Sequence, residues 1–137
     1  MRLNSYLSFK GNCEDALNFY KDVLGAEVTT FLRFDEAPEE VMQVSENDKQ
    51  LVMHATLEFE GNVLMMSDHL NQEYNQGNTF SLSINASEDE AYAMYHSLIE
   101  GGQTVMPFAE AFWGGKFGML VDKFGVQWMF TTQHKPV

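Results

Sequence analysis

The chain has 137 residues, one Cys, nine Met, eleven Phe and a formal net charge of −12. One domain is the expectation at this length, and the apolar share of 45% is too high for disorder. Twenty acids against eight bases argue against nucleic acid and against an anionic membrane surface as partners, while a single Cys excludes an internal disulfide and a Cys-rich zinc module. No 18-residue apolar run and no signal-peptide core are visible, so the expected location is the cytoplasm.

In chain order, a strand is predicted over 3–9. Leu3, Leu7 and Phe9 suit a helix-covered face, with Ser5 an exception, and Asn4, Tyr6 and Ser8 face the other way. A helix follows over 13–24, where Ala16, Phe19, Tyr20, Val23 and Leu24 make one apolar stripe. Asn12 is its expected N-cap and Gly25 its stop. Cys13 lies in the first turn, where the helix dipole and the neighbours Glu14 and Asp15 act in opposite senses on a thiol; a passive thiol is the expectation. A strand over 26–33 leads into segment 34–50. That segment holds Asp35, Glu36, Glu39, Glu40, Glu46 and Asp48 against Lys49, a net −5.

Strands over 51–60 and 62–67 complete the first half. His54 is in phase with Thr56 and Glu58. It is the candidate general base, although a hydrogen-bonded structural histidine is the commoner role. The second half opens with a strand over 79–85, with Phe80, Leu82 and Ile84 toward a helix and Thr79, Ser81 and Ser83 away from it. A helix over 88–100 starts with the capping box Ser87 and Glu90. Strands over 103–113, 116–121 and 126–131 follow, with Gly114-Gly115 read as a two-residue hairpin turn.

The halves repeat. Asn12, Ala16 and Tyr20 match Ser87, Ala91 and Tyr95 at an offset of 75, and Leu7-Ser8-Phe9 match Leu82-Ser83-Ile84 at the same offset. The last strands match at 64, Met65 with Met129, which marks 34–50 as an acidic insertion. The predicted architecture is α+β: tandem βαβββ modules, repeat 1 at 1–70 and repeat 2 at 76–132, forming a curved mixed sheet that encloses a cavity, with helices outside. Met53, Met65, Met66, Met106, Phe108, Phe112, Trp113, Met119, Trp128, Met129 and Phe130 supply core and dimer packing, or an adaptable apolar pocket.

Three stretches carry a family resemblance: Tyr6–Tyr20 with Val23–Gly25; His54-Ala-Thr-Leu with Gly61–Asp68; and Trp113–Gly118 with Asp122–Trp128. Together they resemble the vicinal oxygen chelate superfamily, which includes glyoxalase I, extradiol dioxygenases and the bleomycin and fosfomycin resistance proteins, and within it the PhnB-like branch. Some members of that branch carry a ubiquinone methyltransferase label, yet nothing in the chain resembles an S-adenosylmethionine site. The resemblance implies a divalent metal on one residue from each of four strands, which fall here on Asn4 (Ser5 if the register slips), Met65, Thr79 and Met129. These are poor ligands for zinc, nickel, iron or manganese, so no metal and no cofactor is expected. Asp122-Lys123 stands where the family usually has Asp-Pro. The expected function is binding of a small, partly apolar molecule by a homodimer, with Asn4, Tyr6, His54, Met65, Thr79, Ser81, Trp113 and Met129 as ligand-binding candidates. The alternatives are a lyase or isomerase using His54 with Tyr6 or Thr79, and a protein-interaction module acting through residues 35–48.

Overall fold

The computed structural model describes residues 1–70 and 73–132. Its contacts divide the chain into two units, Met1–Asn75 and Gln76–Val137. Each is a four-stranded mixed sheet with one helix, so the α+β class and the βαβββ order stand as expected.

Unit 1 comprises β1 (Ser5–Phe9), α1 (Cys13–Leu24), β2 (Glu27–Arg33), β3 (Val52–Phe59) and β4 (Asn62–Asp68). Its strand order is β1-β4-β3-β2, with β1 parallel to β4 and the other pairs antiparallel. Unit 2 repeats this with β5 (Leu82–Ala86), α2 (Glu88–Leu98), β6 (Gln103–Glu110), β7 (Lys116–Val121) and β8 (Gln127–Thr132), in the order β5-β8-β7-β6. The helix stripes explain which sheet face is covered. Ala16, Leu17 and Tyr20 bury against Phe9, Ala55, Leu57, Leu64 and Met66, and Ala91, Tyr95 and Leu98 do so with Leu120, Trp128 and Phe130. The alternate strand positions make the uncovered face.

Several sequence expectations are corrected. β1 starts at Ser5 and β5 at Leu82, so Asn4, Thr79 and Ser81 precede their strands. Leu3 and Phe80, assigned to the helix side, are 98% and 85% exposed. The register also differs. Tyr6 sits opposite Met65 and Ser83 opposite Met129, so the first strands match at 77 rather than 75. Three residues join β1 to α1 and one joins β5 to α2, which absorbs the difference of two. Parity survives a shift of two, so the face assignment of Tyr6, Ser8 and Ser83 holds while their partners change.

The hairpin between β6 and β7 is longer than two residues. It spans 111–115 and is closed by Ala111 N–H to Gly115 O at 2.9 Å and Gly114 N–H to Ala111 O at 3.1 Å. Gly114 and Gly115 have φ of +102° and +69°, which explains both glycines. Trp113 is therefore in the turn, not in a strand. The cap of α1 also departs from expectation: Asn12 makes no side-chain cap hydrogen bond. Asp68 supplies it instead, its Oδ1 accepting from Gly11 N–H at 2.9 Å and Cys13 N–H at 3.0 Å. α2 is capped as expected, by Ser87 Oγ accepting from Glu90 N–H at 3.3 Å.

Candidate functional site

On the uncovered face of unit 1, register sets side chains in rows. Tyr6, Met65, Thr56 and Thr30 occupy facing positions on β1, β4, β3 and β2. His54 lies two residues from Thr56 and faces Leu32. Tyr6 reaches over β4 to His54, with ring centroids 5.6 Å apart and its hydroxyl 3.0 Å from His54 Nδ1. The other ring nitrogen, Nε2, is 3.1 Å from Thr56 Oγ1. Both nitrogens of a half-buried imidazole thus meet hydroxyls. Met65 lies beside this trio as its apolar floor. Thr56 was not singled out from the sequence. A threonine in a strand is an ordinary β former, and only the pairing of β3 with β4 and β1 shows where it stands.

The same face of unit 2 is built from different chemistry. By pairing, Ser83 stands where Tyr6 does, Met119 where Thr56 does, and Phe117 where His54 does. Met106, Met119 and Met129 are register partners in one row. Trp113 packs edge-on to Phe117 at 5.5 Å and to Phe112 at 4.8 Å, so it borders this face from the turn. Unit 1 presents a polar trio and unit 2 thioethers and rings, on one shared backbone plan.

The remaining candidates fall away from these faces. Asn4, Thr79 and Ser81 are exposed ahead of their strands. His69 packs on Tyr74 at 5.8 Å, and His96 Nδ1 is 2.9 Å from Tyr92 O. His134 lies outside the described residues. Burial raises the pKa of Cys13, and Asp68 and Glu14 raise it further, so the thiol stays neutral. Segment 34–50 contains two short 3₁₀ turns, Phe34–Glu36 and Glu46–Asp48, and several of its acids bond within unit 1. Beside the 111–115 turn, Glu88, Glu110, Ala111, Gly114, Gly115 and Lys116 line an open depression of about 280 Å³, where Lys116 is paired to Glu88 at 2.6 Å.

The four positions implied for a metal do not fit one. Met65 and Met129 are thioethers on strands, while the Asn4 amide and Thr79 hydroxyl precede theirs. Divalent metals of this superfamily's kind prefer imidazole and carboxylate, and thioethers suit Cu(I). Among the described residues, no three of His, Cys, Asp and Glu are grouped to hold a metal ion.

The repeated βαβββ plan places the chain in the vicinal oxygen chelate fold. The fold is shared with the fosfomycin resistance protein FosX from Listeria monocytogenes at TM-score 0.66, with 98% and 93% of the two chains covered and 8% identity. Residues 2–131 match the family described as 3-demethylubiquinone-9 3-methyltransferase, and the chain belongs to that PhnB-like family. It is 34% identical to protein PA1353 from Pseudomonas aeruginosa, covering 98% and 99% of the two chains at TM-score 0.88. A PhnB protein from Bacillus cereus, described as a putative 3-demethylubiquinone-9 3-methyltransferase, is 29% identical over 97% and 100% of the two chains at TM-score 0.80. Among the described residues, no helix is long and apolar enough to cross a membrane.

Proposed function

We propose that this protein is a metal-free, cytoplasmic homodimer that binds a small, partly apolar molecule on its uncovered sheet faces. The observation that carries this reading is the contrast between the repeats. Features required by the fold occur in both, such as the buried helix tyrosines Tyr20 and Tyr95. The Tyr6, His54 and Thr56 trio has no counterpart in unit 2, where Ser83, Phe117 and Met119 hold the same places. The fold therefore does not need the trio. Within unit 1 the polar trio, with Met65 beside it, suits a ligand with a polar end and an apolar body.

The test is thermal unfolding of the purified protein against a panel of small aromatic and aliphatic compounds, S-adenosylmethionine among them. A stabilising shift lost in Met65→Lys and Met129→Lys supports the reading. A shift with S-adenosylmethionine alone favours the methyl transfer that the family description names. Stoichiometric zinc, nickel, iron or manganese in the purified protein overturns the metal-free part.

A second reading, a lyase or isomerase, is favoured by His54 itself. Its hydrogen-bonding partners are Tyr6 and Thr56 rather than Thr79, so the hydroxyls that would share a proton with it stand within 3.1 Å. Turnover of a ligand from the panel, lost in His54→Gln, would establish it.

A further inference from the structure

The Tyr6, His54 and Thr56 trio has two hydrogen-bonding states. In the neutral imidazole one nitrogen is a donor and the other an acceptor. One hydroxyl must then donate its hydrogen to the ring, and the other accepts and keeps its hydrogen free. In the imidazolium both nitrogens donate. Tyr6 Oη at 3.0 Å and Thr56 Oγ1 at 3.1 Å both accept, and both hydroxyl hydrogens are released to point elsewhere. Protonation thus doubles the free hydroxyl donors and adds a positive charge beside them.

The residues immediately around the trio on this face are uncharged. On the uncovered face β1 carries Tyr6 and Ser8, β4 carries Met65 and Ser67, and β2 carries Thr30 and Leu32. Further along the sheet stand Glu58, two residues beyond Thr56 on β3, and Glu27 opposite it on β2. Arg33, next to Leu32, is engaged by Glu14 at 2.8 Å. Asp68, at the end of β4, is buried and accepts from the amides of Gly11, Cys13 and Val52.

Resting on the small-molecule reading above, we propose that the trio binds the carboxylate of a small, partly apolar acid and takes up one proton as it does so. Two free hydroxyls and an imidazolium are matched to oxygens that only accept. Met65 and Leu32 offer the adjoining apolar surface. The acidic chain, at −12, opposes entry of a lone anion. An anion that enters with a proton leaves the net charge unchanged, so that opposition is removed. Histidine is the side chain whose unperturbed charge changes between about pH 5 and 8, so the two ends of that range are compared.

Sodium benzoate is the probe, and benzamide its uncharged counterpart. Benzoic acid has a pKa near 4, so benzoate stays ionised and any pH dependence belongs to the protein. Calorimetric titration should show affinity at about pH 6 at least tenfold above that at about pH 8, with proton uptake per benzoate, read from the dependence of heat on buffer, rising from about pH 6 toward one at about pH 8. His54→Gln should remove the pH dependence. Tyr6→Phe and Thr56→Val should each weaken binding by about three- to tenfold at about pH 6. These two substitutions remove only a hydroxyl or exchange it for a methyl, so they test the site without disturbing the backbone. Benzoate affinity independent of pH, pH dependence that survives in His54→Gln, or no benzoate binding at about pH 6 overturns the proposal. Benzamide bound where benzoate is not would sink the carboxylate site and leave the small-molecule reading standing.

Discussion

Asp68, the last residue of β4, is bonded through Oδ1 to the amide of Cys13, the first residue of α1, at 3.0 Å. The same oxygen takes Gly11 N–H at 2.9 Å, and Oδ2 takes Val52 N–H at 2.9 Å. One buried carboxylate therefore closes the loop before α1, caps that helix and fixes the start of β3. The equivalent strand end in unit 2 is Thr132, whose Oγ1 accepts from Lys116 N–H at 2.8 Å. There the helix is capped separately, by Ser87.

That division sets unequal costs. Asp68→Ala strands three amides and should destabilise the protein by roughly 3–5 kcal/mol, since each unsatisfied buried donor costs about 1–3 kcal/mol and the loop relaxes in part. Ser87→Ala should cost about 1 kcal/mol. Urea unfolding followed by circular dichroism checks both, and similar losses at the two positions would contradict this account.

Gly118 is buried on the helix side of β7. A Cβ there would stand 2.9 Å from Tyr95 Cε2 and 3.0 Å from Phe108 Cα. The absent side chain lets the Tyr95 ring lie across β7 and its hydroxyl donate to Met106 O at 3.1 Å, where β6 is irregular in register. Gly118→Ala should destabilise by about 1–3 kcal/mol through overpacking against backbone that cannot move aside. Tyr95→Phe keeps the ring and should cost about 1 kcal/mol. Thermal unfolding of the two variants measures the difference.

The parts of this fold that could be read in the sequence are those with a local cause. The stripe of α1 and its glycine stop gave 13–24, which the structure reproduces as Cys13–Leu24. The α2 start was legible from Ser87 and Glu90, and the helix ends two residues earlier than expected, at Leu98. What failed depends on partners distant in sequence. Nothing near Asn12 shows that Asp68 will take its capping role. Nothing near Leu3 or Phe80 shows that the pairing of β1 with β4 begins only at Ser5, or that of β5 with β8 only at Leu82. In the candidate site, His54, Tyr6 and Met65 were legible, and Thr56 was not, because its place beside His54 Nε2 matters only once Tyr6 arrives from the other side of β4.

Arg33 ties the acidic segment to the body of unit 1. Its guanidinium pairs with Glu14 at 2.8 Å and donates to Gln50 O at 2.6 Å, and its amide donates to Glu36 Oε2 at 2.7 Å. Glu14, with smaller contributions from Asp35 and Glu36, raises its pKa and keeps it charged. Both side chains are partly exposed, so Arg33→Ala should cost only about 0.5–1 kcal/mol, with the loss shrinking in high salt. The larger effect should be local. Amide exchange at Asp35, which donates to Lys49 O at 2.9 Å, should quicken relative to β3. Unchanged exchange at Asp35 would show that buried Phe34 alone holds the segment.

Cys13 tests the balance between helix dipole and burial. Its first-turn position would lower a thiol pKa, yet the residue is fully buried, and desolvation, Asp68 and Glu14 all raise the pKa. Burial wins, because the dipole acts through amides that Asp68 already satisfies with a negative charge of its own. The native protein should therefore be inert to iodoacetamide from neutral pH up to about 9, where a free thiol near 8.5 is largely ionised. Labelling should appear only with unfolding, and its rate should rise sharply in Asp68→Ala, whose opened helix start admits the reagent. Rapid labelling of the native wild-type protein would show that the thiol is exposed and activated.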